Sequence, residues 1–468
     1  MTNAASFSAM YDLPELWAVR GPGVLPVEAL GDGAASDARE ERGCLAATRD
    51  SARVTLRLVQ DAVIVVRGAE IIAAGDYEAA VGAQRGLEKA GLGDPAVGGA
   101  LRRARRWDGY ILPGLVDLHC HGGGGASFPD AVTLEQVIEA VMEHLSHGTT
   151  RLIASLVTDS PDILLERTEL LATACDREFL EGIHLEGPFL SPQRAGAQDP
   201  AKMQAPNAAL VQAVAKTARG WFKTMTIAPE LPGVAEPLDG PAPPLVEVLA
   251  AAGVVPSFGH TDASAEQMGR AVVAADAALV AAGAGFGRVA TATHLFNGMR
   301  PIHHRDPGPA LEAIAQAASG RMVVELIADA VHLAPRTARD VFAAVGPHHV
   351  ALVTDAMAAA GMPDGTYQLG PAAVTVAGGV ARLTDGGSIA GGTAHLIDVV
   401  RSAWRASGIP LADAVMAASL VPARVLGRAD SFGSLAAGRA ADLVLSDSGL
   451  RPLEVYAGGI RAISTVRE

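Results

Sequence analysis

The sequence predicts an α/β protein: a (β/α)8 barrel carrying a small β-sandwich domain formed from both chain ends. Three observations predict it. Eight short hydrophobic runs between Leu115 and Asp355 alternate with amphipathic segments, over the ~250 residues of one such barrel. β-type runs cluster ahead of that region, and another returns near the end of the chain. Finally, the central hydrophobic runs end repeatedly in polar residues. An open doubly wound sheet, the rival arrangement, has no need of that.

Taken in order, residues 1–53 show Gly, Pro, Ala and scattered charge without periodicity, and are expected to be an N-terminal extension of unknown role. Residues 54–112 and 433–468 are expected to form the small domain. Runs at 54–58, 62–66 and 70–74 read as short strands, the last two set off by Gly68 and Gly75, and 438–445 reads as a strand returning from the other end. Residues 113–432 are expected to form the barrel, with strands at 115–119, 151–157, 182–186, 224–229, 254–260, 289–294, 322–328 and 350–355. Leu134, Val137, Ile138, Val141 and Leu145 show the i, i+3, i+4 spacing of a helix with one apolar face.

Bulk properties narrow the function. The net charge of -14, with no dominant basic patch, excludes a nucleic-acid partner. Three cysteines, Cys44, Cys120 and Cys175, provide no disulfide framework. No uncharged apolar run reaches the ~18 residues of a membrane span, and Met1 to Asp12 lack the pattern of a secretory signal. A cytoplasmic location with no membrane partner is expected.

A barrel places its active site at the C-terminal ends of its strands. There the first strand presents His119 and His121, whose i, i+2 spacing sends both imidazoles to one face, followed by four glycines from Gly122 to Gly125. The third strand ends in Glu186, the fifth in His260, the sixth in His294 and the eighth in Asp355; His332 lies just beyond the seventh. One histidine near a strand end is usually a hydrogen-bonded structural residue; so many on one rim point to a site. This nitrogen–oxygen set suits Zn2+ or Fe2+ and not Ca2+ or Mg2+. Such an ion lowers the pKa of water and polarises a carbonyl. Asp355 is placed to carry a proton, and His332 to donate to a developing oxyanion. Cys120 points away from its neighbours and reads as packed. His144, His147, His348, His349 and His395 lie away from strand ends and read as structural.

His119-Cys120-His121 after a hydrophobic strand, with late His and Asp residues, resembles the amidohydrolase superfamily. Within it, four blocks resemble the N-acetylglucosamine-6-phosphate deacetylases: residues 182–189 (GIHLEGPF), 257–263 (SFGHTDA), 293–299 (THLFNGM) and 352–356 (LVTDA). The resemblance runs from about Val54 to the C-terminus. It implies hydrolysis of N-acetylglucosamine 6-phosphate to glucosamine 6-phosphate and acetate in amino-sugar catabolism. It also implies that Glu186, His260 and His294 hold one metal, and that His119 and His121 hold a second, with Glu186 bridging and Asp355 contacting the water. Two ions per subunit are expected because the His-x-His pair is retained. His332 would meet the acetamido carbonyl, Asn297 the sugar phosphate, and Arg305 the phosphate of the neighbouring subunit in a homodimer. Many relatives carry a histidine where this chain has Gln198, expected to hydrogen-bond a phosphate or hydroxyl of the substrate. The alternatives are a deacetylase of N-acetylgalactosamine 6-phosphate or another N-acyl amino sugar, and a non-catalytic barrel acting as a binding module.

Overall fold

The computed structural model describes residues 15–28, 54–238, 242–285 and 288–464. Most of the expected N-terminal extension, Cys44 included, lies outside the described residues. The chain divides into two compact units, one of residues 1–114, 411–416 and 429–468, the other of residues 115–410 and 417–428.

The first unit is a β domain built from both ends of the chain. Its strands share one hydrogen-bonded sheet, ordered Ile460–Ser464, Pro452–Ala457, Leu443–Ser446, Tyr110–Pro113, Leu16–Glu28, Val54–Arg67 and Glu70–Asp76, with Arg105–Arg106 beside Leu16–Glu28. Two expectations change here. Residues 54–58 and 62–66 belong to a single 14-residue strand. Leu16–Glu28, assigned to the extension, is a 13-residue strand antiparallel to it. Gly21, Gly23 and Pro26 hid that strand, because they break a period-two pattern. The register shifts between Gly21 and Gly23, and a Cβ on Gly23 would stand 2.7 Å from Ala62 Cβ, so the close approach requires glycine.

Alternation along the long strand sends its residues to two cores. Ile64 and Val66 join Val19, Ile111, Leu443 and Tyr456 on one side. Val63 and Val65 face Val81, Ala100 and Leu101 on the other. The last three come from helices Tyr77–Lys89 and Pro95–Arg102, each capped by an aspartate, Asp76 and Asp94.

The second unit contains eight parallel strands: Leu115–Cys120, Thr149–Leu156, Gly182–Glu186, Phe222–Ile227, Val255–Phe258, Ala290–Ala292, Met322–Leu326 and Val350–Leu352. Each pairs with the next. The first and last meet through a Cys120–Ala356 bridge, with Asp355 N–H donating to His119 O at 2.9 Å and His121 N–H to Ala356 O at 2.7 Å. The sheet thereby closes on itself as a (β/α)8 barrel. Helix Leu134–Ser146 buries Val137, Val141 and Leu145 and opens with a capping box between Thr133 and Gln136.

Several strands are shorter than expected. His260, His294 and Asp355 lie two or three residues past the last strand residue, where the backbone turns into φ of 46°, 25° and 48°. Beyond the eighth strand, the segments Gly365–Leu369, Ala372–Ala377 and Val380–Leu383 form a three-stranded antiparallel sheet that the sequence reading passed over. Val374 and Val376 bury one face of it against Met357 and Ala359.

Candidate active site

The carboxylate of Glu186 organises the rim. The third barrel strand, every residue of it buried, ends on this side chain, and its two oxygens face different histidine pairs. Oε1 lies 2.9 Å from His260 Nε2 and 2.8 Å from His294 Nε2. Oε2 lies 3.2 Å from His121 Nε2 and 3.8 Å from His119 Nε2. Asp355 Oδ1 completes the second group, 3.4 Å from His119 Nε2 and 3.2 Å from His121 Nε2. Two clusters result, His119/His121/Glu186/Asp355 and Glu186/His260/His294, each with its donor atoms within 4.8 Å of one another.

These donors fit a divalent cation. Ligands 2.0–2.1 Å from a tetrahedral ion stand about 3.3 Å apart. Within the first cluster the histidine nitrogens lie 3.1 Å from each other and 3.2–3.8 Å from the Glu186 and Asp355 oxygens. In three of the four histidines an outer contact engages the other ring nitrogen and aims the donor: His119 Nδ1 lies 3.5 Å from Glu325 Oε2, His121 Nδ1 3.2 Å from Ser155 O, and His260 Nδ1 2.8 Å from Arg194 O.

Electrostatics agree. Burial alone would lower the His119 imidazole, but the Asp355 and Glu186 carboxylates outweigh it and hold its pKa well above the ordinary value. His121 and His260 are raised against burial in the same way, His260 chiefly by Glu186. Burial would raise Glu186, yet His119 and His260 hold it well below the ordinary range. Asp355 falls to about 2 for the same reason, through His119 and His121. Buried carboxylates kept ionised among imidazoles attract positive charge. Asp355 keeps 13% of its side chain exposed, against 1–4% for His119, His121, His294 and Glu186 and 6% for His260, so it is the donor most open to an incoming molecule.

Three of these donors, His260, His294 and Asp355, carry a left-handed φ. A left-handed φ at a non-glycine position costs about 1–3 kcal/mol, a cost concentrated at functional sites. Gly298 packs against His260, where a Cβ would stand 2.8 Å from Nδ1.

The remaining expected residues divide. His332 donates from Nδ1 to Asp329 Oδ2 at 2.8 Å. Burial would lower its pKa, but Asp329 and then Asp355 raise it, so the ring keeps a proton to higher pH. Asn297 uses its amide on His294 O at 3.1 Å. Arg305 is exposed on a turn, with His304 as a side-chain partner at 2.7 Å, while the neighbouring Asp306 pairs with Arg300 at 3.0 Å. Gln198, expected at the substrate, is 6% exposed and spends both ends of its amide on protein. Its Nε2 donates to Glu186 Oε2 at 2.6 Å, and its Oε1 accepts from Thr158 N–H at 2.8 Å.

Sequence reasoning missed Glu325 and Asp117. Glu325 also accepts from Thr291 Oγ1 at 3.0 Å. Asp117 ties the first strand to the eighth by accepting from Thr354 Oγ1 at 2.6 Å, and burial pushes its carboxyl up to about 7. Each sits inside an apolar strand, MVVEL and LVDLHC, and an acid within such a run is the signal that would have found them.

Residues 110–466 match the amidohydrolase family. The chain is 35% identical over 368 residues to the N-acetylglucosamine-6-phosphate deacetylase of Bacillus subtilis, covering 76% of this chain and 86% of that one. It is 30% identical over 353 residues to the N-acetylgalactosamine-6-phosphate deacetylase of Escherichia coli O157:H7, covering 75% and 86%. Its structure is similar, with a TM-score of 0.74 and 36% identity over 87% of this chain and 96% of the other, to an aspartate-to-alanine variant of the Mycobacterium smegmatis N-acetyl-D-glucosamine-6-phosphate deacetylase in complex with N-acetyl-D-glucosamine-6-phosphate. A closed barrel with histidines and carboxylates gathered on its rim, matched over most of its length, belongs to the amidohydrolase family.

Proposed function

We propose that this chain hydrolyses the acetamide of N-acetylglucosamine 6-phosphate, giving glucosamine 6-phosphate and acetate in amino-sugar catabolism. The observation that carries the reading is the Glu186 carboxylate shared between two histidine pairs, in a chain about one-third identical to such deacetylases over most of its length. Glu186, His260 and His294 would hold one divalent ion, Zn2+ or Fe2+, and His119, His121, Glu186 and Asp355 a second. When bound, such an ion acidifies water and polarises a carbonyl.

The protein groups supply the rest. Asp355 is unprotonated at neutral pH, so its carboxylate takes the proton from the attacking water as the new C–O bond forms. It then delivers that proton to the nitrogen as the C–N bond breaks, which leaves acetate and a free amine. His332, oriented by Asp329, donates to the acetamide oxygen while negative charge builds there. Arg305, an exposed guanidinium without an acidic partner among the described contacts, suits a phosphate at the neighbouring subunit's site in a homodimer. Asn297 lies beside the same substrate. Gln198 acts on Glu186, and through it on the metal donors. No helix among the described residues is long and apolar enough to cross a membrane, in keeping with a cytoplasmic enzyme.

The relative named for N-acetylgalactosamine 6-phosphate supports a second reading, in which that epimer is the substrate. Acetate release from both phosphorylated epimers and from unphosphorylated N-acetylglucosamine, using protein of measured metal content, tests both. Fastest release from the phosphorylated gluco sugar is expected. Faster release from the galacto epimer selects the second reading, and no release by metal-loaded protein overturns both.

A further inference from the structure

We propose that a line of buried hydroxyls running from His184 to Glu325 is a positioning network that makes His119 present Nε2, and not Nδ1, to the first donor cluster; the proposal rests on the reading of that cluster as a metal site. His184 belongs to neither cluster, although its ring centroid lies 4.5 Å from that of His119 with the planes at 74°. Both of its nitrogens are engaged elsewhere, Nδ1 at 2.9 Å from Ser155 Oγ and Nε2 at 2.8 Å from Thr226 Oγ1. From Thr226 the contacts pass along the barrel strands. Thr226 Oγ1 lies 2.8 Å from Thr293 Oγ1, which lies 2.5 Å from Ser257 Oγ. Ser257 Oγ lies 2.6 Å from Thr291 Oγ1, and Thr291 Oγ1 lies 3.0 Å from Glu325 Oε1. Every member of the line is buried.

Counting protons gives the line its direction. Four hydroxyls, those of Thr226, Thr293, Ser257 and Thr291, supply four protons to five contacts, so one end must supply the fifth. A carboxylate accepts and has no proton to give, and Glu325 Oε2 already takes the His294 N–H at 3.4 Å. The Thr291 proton has two acceptors in reach and goes to the carboxylate, the stronger of them. The fifth proton then sits on His184 Nε2. Its Nδ1 accepts from Ser155, which in turn accepts from Cys120 N–H at 3.0 Å. At the other end, Glu325 is held with Oε2 towards His119 Nδ1 at 3.5 Å. A proton on that nitrogen leaves the Nε2 lone pair of His119 for the cluster. Because Oε2 also receives the backbone of His294, the same carboxylate touches a member of each cluster.

Thr291→Val removes one hydroxyl at nearly constant volume, and Thr291→Ser keeps it. Chelator competition on the metal-depleted full-length proteins measures Zn2+ affinity independently of turnover. Thr291→Val is expected to bind Zn2+ about 10–100-fold more weakly than wild type, and Thr291→Ser to recover most of that loss. Thermal unfolding checks that each variant folds. Should Thr291→Val fail to fold, Thr226→Val breaks the same line further from the donors and is expected to weaken binding in the same direction. Nitrogen NMR of the zinc-loaded wild-type chain, labelled at histidine and assigned by the signals missing from His184→Gln, is expected to show His184 protonated at Nε2. Wild-type affinity in the folded valine variant, equal weakening by valine and serine, or a proton on Nδ1 of His184 would each overturn the proposal. Acetate release by the wild-type chain is measured alongside. Zinc binding that responds to Thr291 without any acetate release would overturn the deacetylase reading and leave the network standing.

Discussion

Replacing Gln198 with leucine, close to it in volume, removes two contacts while leaving the packing largely intact. The first is the donation to Glu186 Oε2 at 2.6 Å, a hydrogen bond to an ionised carboxylate worth about 1.5–3 kcal/mol. The second is the acceptor for Thr158 N–H at 2.8 Å, whose loss strands a buried donor at about 1–3 kcal/mol. Because Glu186 faces both histidine pairs, the disturbance reaches every donor of the centre. Metal affinity is expected to fall about 10–100-fold, the usual effect of losing an outer contact to a ligand. Chelator competition measures that affinity, and steady-state kinetics at saturating metal should then return most of kcat with KM little changed. Unchanged metal affinity with a raised KM for the phosphorylated sugar alone would refute the reasoning, because that is how a substrate-facing glutamine behaves.

Asp355→Asn should retain bound metal while kcat falls by about 10²–10⁴, the usual share of general acid–base catalysis; near-wild-type turnover would remove Asp355 from the proton path. Arg305→Ala should raise KM for the phosphorylated substrate about 10–100-fold, equivalent to about 1.5–3 kcal/mol, with no change for the unphosphorylated sugar. His144 is fully buried and burial lowers its pKa to about 4. An unfolded histidine titrates near ~6.5, so as pH falls from 7 towards 4 the unfolded chain gains a proton that folded His144 refuses. Stability should drop over that window by up to about 3 kcal/mol, and His144→Gln should flatten the fall in thermal midpoint between pH 7 and pH 5. A variant with the wild-type slope would exclude this group as the cause.

The barrel and its rim were legible because each rim donor closes a hydrophobic run. The strand of Glu186 runs Gly182–Glu186, as read from the sequence. His260, His294 and Asp355 were found although strand pairing stops two or three residues short of them, since so small an offset still leaves each at the rim, in a left-handed turn. What failed to show was of two kinds. Leu16–Glu28 is held by close backbone approach at glycines, which erases the side-chain alternation a strand normally displays. Gln198 was read as a substrate ligand from relatives bearing histidine, a reading that did not include its contacts to protein. Its protein partners, Glu186 twelve residues earlier and the Thr158 N–H forty residues earlier, follow no local pattern that would encode them.

The seam where the barrel closes runs through the centre itself. His119 contributes a ring to the first cluster and a carbonyl to that seam, where it meets Thr354 Oγ1, 235 residues later in the chain. A ribosome therefore releases the histidine pair long before Asp355 exists. Until the last strand arrives, the early donors lack both the carboxylate that completes them and the neighbour that holds their backbone. The complete donor set thus forms only with ring closure, so its first appearance during synthesis marks the moment the barrel is finished.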